Sequence, residues 1–496
     1  MNARIRCLVL FALLGLISGF AAAARPVPHP WPLSRPLPPP SPGEGNATQT
    51  SFCCLSPSSP GEGGREGAGE EGRGGEGSTV RLTLSDALDR ARANSPRLES
   101  LAALEAAAEA ARRGALAERL PLVDLSGGYT RNSNVEEFNL TLPGLGTRTL
   151  FPNIPNNYRL HAGAALPLYT GGRIESAIAA ADRQREAAMQ DRSGAVNDLL
   201  LETRTAYWGL VTARESARVL AEAEATYEAH LKDSRNRYEV GIAASNEVLA
   251  VQVERDRAEL ARLQAENSAA VVNENLIRLV GLPPGSRVEP TEALTAPPVS
   301  PADPEALVTA ALAARPEILA LQARAKAARA SVEIQKSISR PQASLSLGYD
   351  YADPNPRIVP PRDRFESTWS AGVTVALRAF DGGRAAAAAA QASAQADALD
   401  RQLEDLKARL RLEVTSRLLD LSSARAALVV AARNLDAAKE NVRVARDRYQ
   451  EGVVPSTELL DAETALLRAS LDQTSAATQV RVALANLDRA VGRSGQ

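Results

Sequence analysis

An internal repeat constrains this chain more than any other feature. Arg237, Tyr238, Gly241, Ser245, Glu247 and Leu249 return as Arg448, Tyr449, Gly452, Ser456, Glu458 and Leu460, a shift of 211 residues (237 against 448). A second set recurs at a shift of 220 (96 against 316), where Pro96, Pro121 and Tyr129 return as Pro316, Pro341 and Tyr349. Repeats of this length mean that two copies of one supersecondary unit must bury their apolar faces together. The chain therefore reads as one elongated, duplicated architecture rather than several independent globules.

Within each half the pattern changes period twice. Ser95-Pro96 and Arg315-Pro316 each open a helix, because proline suits the first helical position, and Pro121 or Pro341 ends it. Next, Val123, Leu125, Gly127 and Tyr129 alternate with Asp124, Ser126, Gly128 and Thr130, and Ala343, Leu345, Leu347, Tyr349 and Tyr351 alternate in the second half. Return strands follow at Tyr158, Leu160, Ala162, Ala164 and Leu166, and at Trp369, Ala371, Val373, Val375 and Leu377. Strands of about ten residues with one apolar and one polar face fit a tilted crossing of a hydrocarbon layer. A soluble sandwich strand with one buried face has the same pattern. Four strands cannot close a membrane barrel, since the smallest single-chain barrels have about eight, so several copies would have to share one. The proline-rich stretches 132–157 and 352–367 read as solvent loops between the strands.

Gly171-Gly172-Arg173 and Asp381-Gly382-Gly383-Arg384 then open helices that run to Tyr238 and Tyr449, rods of about 100 Å at roughly 1.5 Å per residue. Val414, Leu421, Leu428, Leu435, Val442 and Tyr449 recur every seventh position, a seam that demands a partner helix. Gly241 and Gly452 suit the left-handed position that ends a helix, and Ser245 and Ser456 suit the start of the next. The returning helices reach only to about Val280 and Val491, half the outgoing length. The short helices 96–119 and 316–339, stacked end to end with them, would complete each rod.

At the N-terminus, Arg4 and Arg6 precede an apolar run from Leu8 to Phe20 closed by Ala22, Ala23 and Ala24, which predicts a secretory signal peptide over 1–24 rather than an uncleaved anchor. No later stretch offers 18 continuous apolar residues, so membrane insertion would have to use strands. Residues 25–79, rich in Pro, Gly, Ser and Glu, read as a disordered linker, with a proline-rich ligand segment as the alternative. The two structural repeats span 80–281 and 305–492, joined by a proline-rich linker over 282–304. Cys53 and Cys54 form no disulfide framework or zinc spacing, and no cysteine marks a lipid anchor at the cleavage site. A net charge of −2 argues against a nucleic-acid surface. His29, His161 and His230 lack metal-ligand spacing and triad motifs, so each reads as surface or pore-facing. No catalytic, cofactor-binding or metal-ligating set is expected.

Two rounds of short helix, strand, loop, strand, Gly-Gly-Arg, long helix, Arg-Tyr-x-x-Gly tip and returning helix resemble the TolC-like outer membrane efflux proteins, the outer membrane factors, over residues 80–492. The resemblance implies a mainly α fold with membrane β. In it, a homotrimer shares a β-barrel, four strands per protomer, continuous with a long periplasmic α-helical barrel. It further implies the exit duct of a tripartite efflux or type I secretion system, located in the outer membrane with a periplasmic extension and surrounded by outer membrane lipids. The partners would be a periplasmic membrane-fusion adaptor and, through it, an inner-membrane transporter of RND or ABC type. Drug efflux, metal efflux and protein secretion stay open.

Glu458 and Asp461, three apart at a helix start, share a face and match the acidic positions that narrow the periplasmic entrance in this family. In the first half Glu247 keeps the first position, while Ala250 stands where Asp461 would be. The alternative is that Glu247 and Glu458 only stabilise helix N-termini through the dipole. Gly241, Gly452, Tyr238, Tyr449, Ser245 and Ser456 form the tip surface expected to receive the adaptor's helical hairpins. Two other classes share parts of the pattern. A periplasmic coiled-coil adaptor should have one hairpin flanked by compact β modules, and a structural surface protein has no need of paired strands at matching positions.

Overall fold

The computed structural model describes residues 79–295, apart from Leu145, and 303–493. The expected signal peptide, residues 25–78 with both remaining cysteines and His29, and Pro297, Pro298 and Pro301 lie outside the described residues.

The first half runs β1 (Thr79–Leu82), α1 (Leu84–Asn94), α2 (Pro96–Ala117), β2 (Leu122–Arg131), β3 (Phe138–Leu142), β4 (Gly146–Phe151), β5 (Asn156–Tyr169), α3 (Arg173–Glu239) and α4 (Ser245–Val280). The second runs β6 (Arg287–Pro290), α5 (Pro304–Ala314), α6 (Pro316–Ser337), β7 (Gln342–Asp353), β8 (Glu366–Ala376), α7 (Arg384–Gln450) and α8 (Ser456–Val491). Helices α1 and α5 have 11 residues each, α2 and α6 have 22, α3 and α7 have 67, and α4 and α8 have 36. Proline sets several of the starts, standing first in α2, α5 and α6, where its missing N–H has no bond to lose.

Strands β2, β5, β7 and β8 form one antiparallel sheet in that order. Register aligns Leu125 with Ala162, Ala162 with Tyr349, and Tyr349 with Trp369, so a single row of apolar side chains crosses all four strands. The β5–β7 pairing joins the two halves. Strands β2 and β8 are open edges among the described residues, and the apolar face stays uncovered, with Leu125 80 % and Trp369 71 % exposed.

Two features depart from the expected loops. Residues 132–157, read as loop, contain the β3–β4 hairpin, turning through Gly144 and Gly146 at φ +82° and +77°. The linker read over 282–304 contains β6, which pairs in parallel with β1 from Thr79↔Arg287 to Leu82↔Pro290, so residue 79 belongs to a strand. Tyr207 of α3 braces this pair, its hydroxyl donating to the Leu82 carbonyl at 3.1 Å.

The helices pack as a layer. Helix α3 lies between α2 and α4 on one side and α6 and α8 on the other, and α7 covers α6 and α8. The heptad seam of α7 is buried as expected, with Val414 and Leu421 against Val480, Ala483 and Leu487 of α8. Tyr449 and Val442 lie against Leu459 and Ala462 lower down. No single described helix is long and apolar enough to cross a membrane.

The short and returning helices do meet end to end. Gly281, just past α4, abuts Asn94 at the end of α1, whose Nδ2 donates to the Val280 carbonyl at 3.2 Å. Gly492, just past α8, abuts Ala314. At this second joint the buried Arg315 donates to the Ala490 carbonyl (3.1 Å) and pairs with Glu317 (2.9 Å) and Glu413 (3.4 Å). Arg489 donates to Asp198 of α3 (2.6 Å) and Glu317 of α6 (2.9 Å), and reaches Glu413 of α7 (3.4 Å). One cation thus ties α8 to three neighbouring helices.

Candidate functional site at the hairpin tips

Both long helices end the same way. Gly241 and Gly452 take φ of +78° and +72°, where a Cβ would clash with the backbone. In the first tip the Gly241 N–H donates to the Tyr238 carbonyl (2.9 Å) and the Ile242 N–H to the Arg237 carbonyl (2.9 Å). In the second, Gly452 donates to Tyr449 (3.1 Å) and Val453 to Arg448 (2.9 Å). Each is a complete Schellman closure that satisfies carbonyls otherwise orphaned at a helix end. The expected reversal at 241 and 452 is present in both halves.

The next helices start differently from expectation. Ala244 and Pro455 occupy the cap positions and no side chain caps either helix, while Ser245 and Ser456 are the first helical residues. Neither serine acts as a cap. Ser245 faces solvent, and Ser456 is 1 % exposed and turns its hydroxyl towards α3. The tyrosines split in the same way: Tyr238 is exposed, but Tyr449 is buried beneath the Arg237 guanidinium, 4.2 Å from its ring centroid. Burial pushes the Tyr449 phenol above its ordinary value of 10.0, which keeps it neutral.

Glu458 and Asp461 are both exposed on the first turns of α8. Arg448 donates to Glu458 across the turn at 3.1 Å, with both side chains about half exposed, so part of the carboxylate charge is already balanced. Asp461 has no ion pair among the described residues. Glu247 is half-buried at the matching place on α4. The two tips thus present different charge.

Behind the acidic face lies a buried polar cluster that the histidine reading missed. His230 is neither surface nor pore-facing: it is 6 % exposed, with Nδ1 3.0 Å from Glu463 Oε2 and Nε2 3.0 Å from Ser456 Oγ. Glu463 is equally buried and also accepts from Arg446 of α7 at 3.4 Å. Two residues along α8 separate outward Asp461 from inward Glu463, since about 200° of helical rotation places them on opposite sides. The order Ser, His, Glu is that of a nucleophilic triad. With the Ser456 hydroxyl sealed from solvent no substrate reaches it, and the three side chains tether α8 to α3. The available sequence signal was Glu463 itself, a carboxylate among Leu459, Ala462 and Leu466 on a seam-facing stripe. Tyr227 adds a second tie, its hydroxyl 3.2 Å from Thr464 Oγ1.

Comparison with known proteins places this geometry. The family model described as outer membrane efflux protein matches residues 87–282 and 307–493. The chain is 27% identical over 421 residues to Protein CyaE of Bordetella pertussis, covering 84% of this chain and 85% of that one. It is 27% identical over 277 residues to the alkaline protease secretion protein AprF of Pseudomonas aeruginosa, covering 55% and 56%. The crystal structure of the outer membrane protein VceC from Vibrio cholerae superposes with a TM-score of 0.70 at 20% identity, covering 82% of this chain and 96% of that one. That last likeness concerns the fold.

Proposed function

We infer, since the chain belongs to the outer membrane efflux protein family, that it is an outer membrane exit duct and not an enzyme, with its helices extending into the periplasm. The observation that carries this reading is the open four-stranded sheet set on a layer of 67-residue helices. Open strand edges cannot be left unpaired in hydrocarbon, and four strands fall short of the roughly eight that close the smallest barrels. A homotrimer sharing one barrel supplies the missing strands, its protomers each built from two repeats, 80–281 and 305–492. Apolar side chains on both outer flanks of the helix layer support the same arrangement: Leu249, Val253 and Leu260 on α4, and Leu412 and Leu419 on α7 are exposed in the single chain. Copies packed through these flanks would continue the layer into a periplasmic helical barrel.

In this duct Glu458 and Asp461 sit at the lower mouth, with Glu247 contributing less. Three copies gather six carboxylates, and even with Arg448 beside each Glu458 the ring favours cations at the constriction. Glu458→Gln with Asp461→Asn should lower the cation-over-anion permeability ratio in planar bilayers. An unchanged ratio would sink the assignment.

The exposed tip residues Gly241, Gly452, Tyr238 and Ser245, together with the apolar Val240, Ile242 and Val453, suit the hairpins of a periplasmic membrane-fusion adaptor. Tyr449 and Ser456 serve from behind, by shaping the second tip. Through the adaptor the duct would meet an inner-membrane transporter. The name of AprF, a protease secretion protein, favours protein secretion and an ABC-type transporter over an RND-type efflux pump. Copurification of an RND transporter with the adaptor complex would reverse that preference.

A further inference from the structure

Glu458 and Asp461 can narrow an opening only if the first turns of α8 are held in place. At the second tip α8 has no side-chain cap and Gly452 sits in open space, and the first turns are held to α7 by the apolar packing of Leu459 and Ala462 on Tyr449 and by the Arg448–Glu458 bond. Towards α3 the restraint is the buried pair of bonds from His230 to Ser456 and Glu463, beside the apolar packing of Leu460 with Tyr227 and Leu231 and the Tyr227–Thr464 bond. Ser456 and Glu463 bracket the acidic pair in sequence and lie on the opposite side of the same two helical turns.

We propose that His230 is a positioning residue for the acidic mouth, which fixes the place of Glu458 and Asp461 by gripping Ser456 and Glu463 from α3. The proposal rests on the reading of Glu458 and Asp461 as the mouth of a duct. Its geometry is particular to the second tip. At the repeat shift of 211 the matching residues of the other tip are Ser245 for Ser456, Gln252 for Glu463 (252 against 463) and Asn441 for His230 (230 against 441). Ser245 and Asn441 are exposed and Gln252 is an uncharged, half-buried amide, so the buried imidazole-carboxylate grip has no counterpart on α4.

The groups facing the imidazole come from each element around it. Helix α8 supplies the Glu463 carboxylate and the Ser456 hydroxyl. Helix α7 supplies Arg446, bonded to Glu463, and the Tyr449 ring, which meets the imidazole edge-on at 5.6 Å. On α3 itself Arg237 lies over the Tyr449 ring. The Ser456 hydroxyl both donates and accepts, so it bonds Nε2 with or without a proton there. Loss of the imidazole leaves Glu463 with Arg446 alone, inside the chain, and removes the polar grip of α3 on Ser456 and Glu463, leaving the Leu460 packing and the Tyr227–Thr464 bond.

The test measures the trimer in planar bilayers, with conductance, cation-over-anion ratio and thermal melting read on the same preparations. His230→Ala should change conductance and reduce the cation preference although both mouth carboxylates are intact. His230→Gln, which keeps a donor for Glu463 and an acceptor for Ser456, should restore both. Ser456→Ala, which removes one hydroxyl and leaves the chain able to fold, should move the permeability ratio in the same direction as His230→Ala. A role in stability alone would lower the melting temperature and leave ion selectivity untouched, which would overturn the proposal, as would equal behaviour of the Ala and Gln variants. If Glu458→Gln with Asp461→Asn is itself without effect on selectivity, the reading of the mouth fails. If that double variant acts and the His230 variants do not, only the positioning role fails.

Discussion

Arg489→Met tests whether one cation holds four helices in register. The native guanidinium donates to Asp198 at 3.0 and 2.6 Å and to Glu317 at 2.9 Å, and reaches Glu413 at 3.4 Å. Methionine keeps much of the apolar stem and removes every one of these bonds, leaving Arg315 as the remaining cation against Glu317 and Glu413. Breaking a buried ion pair costs about 3–5 kcal/mol, but each carboxylate here is about a third exposed and water recovers part of that, so about 2 kcal/mol is expected. At about 1.4 kcal/mol per decade this is roughly a 30-fold increase in local opening. The readout is amide exchange at the joint, where Ile318 and Leu319 donate to the Arg315 carbonyl and Gly492 donates to Arg489. Arg489→Lys should fall between, because an ammonium keeps the charge and loses the planar fork. Exchange in Arg489→Met within about two-fold of the native protein would refute the idea that Arg489 secures this joint.

Four further outcomes follow from the same structure. Gly452→Ala and Gly241→Ala meet no neighbour, so each should cost only the left-handed backbone penalty of about 1–2 kcal/mol, seen as faster exchange at the tips. Gly281→Ala should cost more, since its Cβ would lie 2.6 Å from Asn94 Cβ. Leu421→Ala, at 2 % exposure on the α7 seam, should destabilise by about 2–5 kcal/mol, and an unchanged melting profile would show that the seam relaxes around the loss. Burial raises the Glu317 carboxyl, but the Arg315 hydrogen bond, with the Arg315 and Arg489 charges, holds it below its ordinary 4.5. A depressed folded value means the stabilisation is present above pH 4.5 and is lost as pH falls through that lower value. Exchange at Ile318 should therefore quicken in acid, and Glu317→Gln should flatten this pH dependence.

Length and regularity decided what the sequence revealed. The seam from Val414 to Tyr449 repeats its signal six times, and each buried heptad position repeats the same physical reason, so the reading survives any single exception. The four long strands likewise carry enough alternation to be recognised. Strands β3 and β4 carry little: five and six residues around Pro143 and two glycines look like loop, and their pairing is visible only in three dimensions. The pairing of β1 with β6 joins segments far apart in the chain, in strands too short to show a period. At the tips, the reversal at Gly241 and Gly452 was legible because the closure is local backbone chemistry. The fates of Ser456 and His230 were not. Ser245 and Ser456 occupy matching positions, and only the presence of α3 beside α8 turns one of them inward. His230 sits in a stretch of charged residues, and nothing local distinguishes a buried histidine there from a solvated one.

The butt joints at Gly281 and Gly492 give the helix layer the character of a spliced beam. Helices α3 and α7 run unbroken past both joints, while the strips beside them are each made of two pieces. A spliced member carries load along its length through its continuous neighbours but resists bending least at the splice. Both splices fall at one level, beside Leu199 to Leu210 on α3 and Leu410 to Leu421 on α7, which correspond at the repeat shift of 211 (199 against 410). Flexure is thus concentrated in one narrow belt. Across it the two pieces of each strip are joined by side chains rather than by continuous backbone: Asn94 with the Ala91–Val280 apolar cluster at one splice, and Arg315 and Arg489 with the Ala311–Ala490 cluster at the other.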